Sequence, residues 1–193
     1  MSIGPRPETR QAILLAAYEC LARFGPSKTS VADVALGAGV SRATLYRYFP
    51  GGRDELLRAV VHWEHQRFFL RLYDAVSDAL TLEEVIERGL LVARRAIEDH
   101  EVLQMVLATE PAAITATLVE ELTPTRIQIA AFLVPYLEHH ELADGVDVDE
   151  SASFLARMVL SYLASPGRWD LDDPAEVARL VRTELLAGIV PAG

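Results

Sequence analysis

The most constraining feature of this chain is a pair of short helical segments that meet across a tight turn within residues 30–49. Ser30-Val31-Ala32-Asp33 has the form of a capping box, in which the serine hydroxyl accepts a free N–H of the first helical turn and the acid reaches back. Gly39 can adopt the positive φ of a tight turn, and Ser41 can cap the next helix. Short helices joined by about three or four residues are typical of a helix-turn-helix.

Helical spacing of apolar residues continues through most of the chain. It predicts a first helix over residues 7–24, a second to about residue 38, a long helix from about 53 to 79, and final helices over 148–165 and 174–190. Thr81, Asp147 and Asp173 stand where further helices would be capped. No segment alternates as a strand would, so the sequence predicts an all-α fold.

Three prolines complicate the segment between residues 100 and 141. Pro111, Pro124 and Pro135 lie within otherwise apolar helical sequence. Because proline removes a backbone donor and clashes with the preceding turn, we expect kinks or short helices there.

Composition narrows the class of protein. The 193 residues are 51% hydrophobic and 24% charged, which indicates a globular protein, and no apolar run reaches the roughly 20 residues of a membrane span. The N-terminus lacks a secretory signal, so a cytoplasmic location is expected. Cys20 is the only cysteine, which excludes an intramolecular disulfide.

Charge is distributed unevenly. Residues 1–60 hold eight Lys or Arg and five Asp or Glu, which gives this segment a net charge of +3. Because the whole chain carries −10, the remaining residues carry −13. A cationic segment on an acidic body suits a protein with one end that faces a polyanion.

An enzyme and a protein-binding module are the alternatives. The segments His62-Trp63-Glu64-His65 and His139-His140-Glu141 resemble metal sites but lack the spacing of zinc or di-iron motifs, and no nucleotide-binding or nucleophile-elbow motif occurs. We therefore expect no catalytic activity, no metal and no cofactor. A protein-binding module would differ from a DNA-binding one in a weaker dependence of affinity on salt.

The segment Thr29–Pro50, TSVADVALGAGVSRATLYRYFP, resembles the helix-turn-helix of the TetR family. The similarity extends back through Arg10, Ile13, Ala16-Ala17 and Gly25 and forward through Arg53-Asp54-Glu55-Leu56-Leu57, about the first third of the chain. Arg53 stands where the family often has lysine. The resemblance implies a three-helix DNA-binding domain, assigned to residues 1–55, and a helical-bundle domain for ligand binding and dimerisation, assigned to residues 56–193.

The third helix offers the groups that read bases in a major groove. Ala43, Thr44, Arg47 and Tyr48 can point away from the packed Leu45 side. Contacts with phosphate are assigned to Lys28, Thr29, Ser30, Ser41, Tyr46 and Arg53, with Arg42 on the same surface. The predicted partner is operator double-stranded DNA.

The remaining sequence predicts a regulatory domain whose ligand is unidentified. Candidate ligand contacts are apolar residues with a few orienting polar groups: Phe68, Phe69, Leu72, Tyr73, Met105, Thr109, Arg126, Phe132, Tyr136, Met158 and Tyr162. The resemblance implies a repressor released by a small, largely apolar ligand. It also implies a homodimer built from the last two helices, through Phe154, Leu155, Val159, Val177, Leu180, Val181, Leu185 and Ile189.

Overall fold

The structure, a computed structural model, describes the backbone of residues 6–109 and 111–191 and the side chains of residues 6–109 and 123–191. All regular elements in these ranges are helical, which confirms the predicted all-α fold. They are α1 (Pro7–Phe24), α2 (Val31–Gly37), α3 (Arg42–Tyr48), α4 (Gly52–Val76), α5 (Leu82–Glu98), α6 (Glu101–Thr109), α7 (Pro111–Glu138), α8 (Val148–Ala164) and α9 (Pro174–Leu180), followed by a π-helical turn (Val181–Leu185). None of the described helices combines the length and the apolar composition of a membrane-spanning segment.

Two predicted stretches differ from the structure. Between residues 100 and 141 the expected short helix is present at α6, which ends at Thr109 before α7 begins at Pro111, but α7 then continues through Pro124 and Pro135 as one helix. Pro111 takes the first helical position, where its missing N–H removes no hydrogen bond.

The last helix is shorter than the predicted 174–190. Regular α-helix ends at Leu180, and the five-residue π-helical turn follows. Gly188 then has a φ of 80°, and the Ile189 carbonyl accepts the N–H of Ala143 at 2.9 Å instead of continuing a helix.

The chain divides into two compact units, and each unit combines separate segments. The first contains Met1–Phe69 and Asp99–Ile114, and the second contains Leu70–Glu98 and Thr115–Gly193. The first unit therefore extends beyond the predicted boundary at residue 55. The reason is packing, since α6 lies against α1 and Val102 contributes to the same core.

The core of the first unit is formed by apolar residues that recur at helical spacing. Leu45 and Phe49 anchor α3 and the turn after it, with 0% and 1% of their surface exposed. Around them lie Ile13, Leu14, Ala16, Ala17, Leu21, Val34, Ala35, Leu56 and Val60. Gly37 allows α2 to approach α1, because a Cβ atom there would lie 3.3 Å from Cβ of Ala16.

The second unit is built around α5, which packs on α8, α9 and the π-helical turn. Its buried face carries Leu82, Val85, Ile86, Leu90 and Ala93. Arg94 joins α5 to the segment before α9 through two contacts with Asp172, at 3.1 and 3.2 Å. The hydrogen bond from Arg94 lowers the pKa of the Asp172 carboxyl.

Candidate nucleic-acid interface

Serine residues begin both helices of the predicted helix-turn-helix. The Ser30 hydroxyl accepts the N–H of Asp33 at 3.2 Å and donates to the Asp33 carboxylate at 2.5 Å. At the start of α3 the Ser41 hydroxyl accepts the N–H of Thr44 at 3.0 Å. Between the helices Gly39 has a φ of 65°, as the turn requires. The predicted caps are confirmed, and they set the direction in which each helix begins.

Helix α3 presents one polar side to solvent. Arg42, Ala43, Tyr46 and Arg47 are exposed, whereas Leu45 faces the core. With 3.6 residues per turn, these four positions lie side by side along the helix. The exposed strip of α3, defined by these four residues, holds two guanidinium groups, a phenol and a methyl group.

Thr29, predicted to contact phosphate, lies in the interior instead. Only 3% of its surface is exposed, and its hydroxyl donates to the Gly25 carbonyl at 2.8 Å. Its side chain therefore holds the turn between α1 and α2 and has no free face for DNA. Lys28, the preceding residue, is exposed.

Arg53 also differs from its predicted role. Its Nε donates to the Thr29 carbonyl at 3.0 Å, and one terminal nitrogen donates to the Pro26 carbonyl. A second terminal nitrogen lies 3.4 Å from the Asp54 carboxylate. The guanidinium therefore links the start of α4 to the turn between α1 and α2. The sequence alone does not reveal this link.

Tyr48 was predicted to face base edges, but its hydroxyl accepts the backbone N–H of Arg6 at 2.5 Å. Partial burial raises the pKa of Tyr48, and hydrogen bonds from Thr9 and from the Arg6 backbone outweigh it and lower the pKa overall. Sequence reasoning missed this link because residues 6 and 48 are far apart in the chain. The prolines on either side of Arg6 were the only local feature of the sequence that pointed to a fixed backbone at this position.

Tyr46 and Thr44 both lie within α3, and each has a neighbour in an adjoining turn. Tyr46 is 48% exposed and lies beside Gly52, where an added Cβ atom would be 3.3 Å from its ring. The Thr44 hydroxyl lies 3.0 Å from that of Ser41. Glu55, to which the sequence analysis gave no role, accepts the Gly51 N–H at 2.6 Å and so fixes the turn before α4.

The predicted ligand contacts fall in both units. Phe68, Phe69, Met105 and Thr109 belong to the first unit and the other seven to the second. Within the second unit three aromatic rings form a cluster, in which the Tyr73 ring meets that of Phe132 edge-on at 4.9 Å between centroids and the tilted Tyr136 ring lies 5.3 Å from Phe132. Burial raises the pKa of Tyr136, with a smaller contribution from Tyr73.

Several other candidate ligand residues have structural partners. The Tyr162 hydroxyl donates to the Glu184 carboxylate, which also accepts from Arg168 at 2.9 Å. The Thr109 hydroxyl donates to the Met105 carbonyl at 2.8 Å. Leu72 is 5% exposed and belongs to the core of its unit, while Arg126 and Met158 are partly exposed.

Most residues predicted for a dimer interface are buried within the single chain. Leu155, Val177, Leu180, Val181 and Leu185 each have 0% of their surface exposed, and Ile189 has 7%. Side chains with no exposed surface have none left to bury against a second copy. Of the predicted set, only Phe154 and Val159 are partly exposed.

The histidine segments do not assemble a metal site in the part of the chain that the structure describes, where no group of three candidate ligands converges. His139 and His140 each place Nδ1 against a carbonyl of their own helix, at 2.5 and 2.6 Å. His100 accepts the Leu103 N–H at the start of α6.

Comparisons with known proteins agree with this geometry. A family model for bacterial regulatory proteins of the tetR family matches residues 13–60. An uncharacterized HTH-type transcriptional regulator of Mycobacterium tuberculosis is 30% identical over 169 residues, covering 88% of this chain and 81% of that protein. The HTH-type transcriptional repressor LfrR of Mycolicibacterium smegmatis is 44% identical over 62 residues, covering 32% of this chain and 31% of that protein.

Among solved structures, a TetR-like transcriptional regulator from Rhodococcus sp. RHA1 superimposes with a TM-score of 0.59 at 25% identity, covering 95% of this chain and 98% of that one. The similarity therefore extends over nearly the whole fold and not only over the helix-turn-helix. This chain belongs to the TetR family of bacterial helix-turn-helix transcriptional regulators.

Proposed function

We propose that the protein is a repressor that binds a pseudo-palindromic operator as a homodimer and leaves it when a small, largely apolar ligand binds. The exposed strip of α3 is the observation that carries the DNA-binding part. Arg42 and Arg47 stand on a helix whose opposite side is buried through Leu45, so the strip is held rigidly. Arginine in a major groove can bind guanine with two hydrogen bonds.

Contacts with phosphate are proposed for groups beside this strip. Lys28 and Tyr46 are exposed, and Ser30 and Ser41 stand at the N-terminal ends of α2 and α3. Such contacts set the register of a protein on DNA without reading sequence. The net charge of +3 over residues 1–60 favours approach of this region to DNA, while the acidic remainder disfavours approach in other orientations.

A second copy is proposed to cover the outward side of α8. Phe154, Arg157, Met158 and Ser161 recur at spacings of three and four residues, and all are partly or fully exposed. This replaces the buried residues of the sequence-based interface. Two-fold symmetry would place two α3 helices on successive major grooves, with half-sites about 34–36 Å or a multiple of that apart.

The ligand is proposed to contact the aromatic cluster of Tyr73, Phe132 and Tyr136. Tyr73 is 51% exposed, so the aromatic cluster has a side open to an apolar molecule, which the hydroxyl groups of the two tyrosines would orient. Tyr73 lies on α4, which begins at Gly52 in the DNA-binding unit. A ligand that shifts α4 would change the separation of the two α3 helices in a dimer.

The test combines footprinting with quantitative binding. Genomic footprinting yields an operator, and affinity is then measured for the wild type, Arg47→Ala and the control Arg71→Ala, which removes the same charge from an exposed position in the second unit. Arg47→Ala should lose about 1–3 kcal/mol of discrimination at one base pair of each half-site. The control should bind like the wild type.

Two results would contradict the proposal. One is the absence of any footprint, and the other is an operator affinity that neither Arg47→Ala nor Arg42→Ala changes. A protein-binding module would show little dependence on salt, whereas DNA binding weakens linearly on a plot of log affinity against log salt.

A further inference from the structure

The start of α1 is fastened to the last residue of α3. The Arg6 N–H donates to the Tyr48 hydroxyl at 2.5 Å, and Thr9 forms a hydrogen bond with the same hydroxyl. The Tyr48 ring itself packs against the core of the first unit. The backbone of Arg6 is therefore held at the C-terminal end of the helix that carries the exposed strip.

The backbone of Arg6 is also restricted locally. It has φ −87° and ψ 131°, the extended conformation that a following proline favours, and prolines stand on both sides of it in the sequence. A side chain on such a backbone loses little backbone entropy when it binds a partner. Among the described residues, no hydrogen bond or ion pair occupies the exposed Arg6 guanidinium.

Two further cations lie at this end of α3. The Arg10 guanidinium lies 5.5 Å from the centre of the Phe49 ring, and that of Arg47 lies 5.7 Å from the centre of the Tyr48 ring. Glu8, at 100° per residue, faces the opposite side of α1 from Arg10. The surface around Tyr48 is therefore positively charged and continuous with the exposed strip of α3.

Resting on the proposed DNA-binding function, we propose that Arg6 binds a backbone phosphate of the operator outside the base pairs that α3 reads. The DNA interface then includes the start of α1, which lies before the helix-turn-helix in the chain. Phosphate is the partner because a guanidinium forms short, charge-assisted hydrogen bonds with it. The contact adds affinity and fixes the orientation of α3 but reads no bases.

The size of the effect follows from the release of counterions. One phosphate contact changes the slope of log affinity against log salt by about 0.9, which corresponds to about five-fold in affinity at about 0.15 M salt. A dimer that loses the contact in both copies should therefore bind about thirty-fold more weakly, with a slope reduced by about 1.8.

The experiment neutralises one phosphate at a time. Methylphosphonate is placed at successive positions of the footprinted operator, and affinity is measured for the wild type, Arg6→Ala and the matched control Arg71→Ala. For the wild type and the control, one position in each half-site, outside the contacts of α3, Lys28 and Ser30, should cost about five-fold. At that position methylphosphonate should not change the affinity of Arg6→Ala. At every other position the effect of methylphosphonate on Arg6→Ala should equal its effect on the wild type.

Tyr48→Phe removes the hydroxyl that holds Arg6, so sensitivity at the same position should fall without loss of the Arg6 charge. The inference is overturned if Arg6→Ala keeps the wild-type pattern of sensitivity, or if it alters base preference and leaves that pattern intact. In either case the proposed function stands as long as Arg47→Ala still weakens binding. If the wild type binds no operator, both fail together.

Discussion

Arg53→Ala distinguishes a structural brace from a contact with DNA. In the structure the guanidinium donates to the Thr29 and Pro26 carbonyls, which lie in the turn that carries Lys28. A phosphate contact at this position would leave protein stability nearly unchanged and lower the salt dependence of binding. If the side chain only stabilises the turn, its loss should lower protein stability and leave the salt dependence of binding unchanged.

The expected loss can be worked from these two hydrogen bonds. A hydrogen bond with one charged partner contributes about 1.5–3 kcal/mol to stability when it is shielded from water. The Arg53 side chain is 38% exposed, so water competes and the lower end of that range applies. Because the Thr29 carbonyl belongs to a buried residue, it gains little hydration in exchange. At about 1.5 kcal/mol for each of the two hydrogen bonds, we expect a total of about 3 kcal/mol.

Denaturant unfolding measures the total, and hydrogen exchange at the Thr29 N–H, which bonds to the Gly25 carbonyl at 3.2 Å, reports on the turn itself. Arg53→Lys is the matched variant, since it keeps the charge but loses the planar fork that reaches two carbonyls. It should lose part of the stability and retain the salt slope. Unchanged unfolding of Arg53→Ala, with a slope reduced by about 0.9 per site, would refute the brace.

Four further substitutions have defined outcomes. Val181→Glu buries an unpaired charge, so it should lower the free energy of unfolding by several kcal/mol in denaturant titrations, whereas Phe154→Glu should leave the fold intact and yield a monomer by light scattering. Ser41→Ala should cost about 0.5–2 kcal/mol in the same titrations through loss of the α3 cap. Because Arg94 lowers the pKa of Asp172, that pair stabilises the fold above the unfolded pKa and is lost as pH falls through the folded pKa. The stability difference between wild type and Asp172→Asn should therefore vanish in strong acid, and a constant difference would contradict this assignment.

Local interactions account for what the sequence predicted well. Ser30 and Ser41 cap the helices that follow them, and Gly39 forms the turn, because each depends only on neighbours three or four residues away. The all-α fold and the buried side of α3 follow from periodicity in the same way.

Predictions failed where distant residues decide the outcome. Arg53 is a good phosphate ligand by residue type, but its partners at residues 26 and 29 become visible only in three dimensions. The sequence correctly predicted that the apolar residues of α8 and α9 are buried. Periodicity does not reveal, however, whether they pack against α5 or against a second chain. Val181 and Leu185 are covered within the chain.

The discontinuous composition of the first unit has a consequence for biosynthesis. Helix α1 leaves the ribosome before α6, and Val102 of α6, which packs on the same core, follows some 80 residues after the end of α1. At about 5–20 residues per second, that delay is on the order of 5–15 seconds. During that time the side of α1 that α6 covers stays open to water or to chaperones, so the core beneath the helix-turn-helix is completed only after the whole of α5 and the start of α6 have been synthesised.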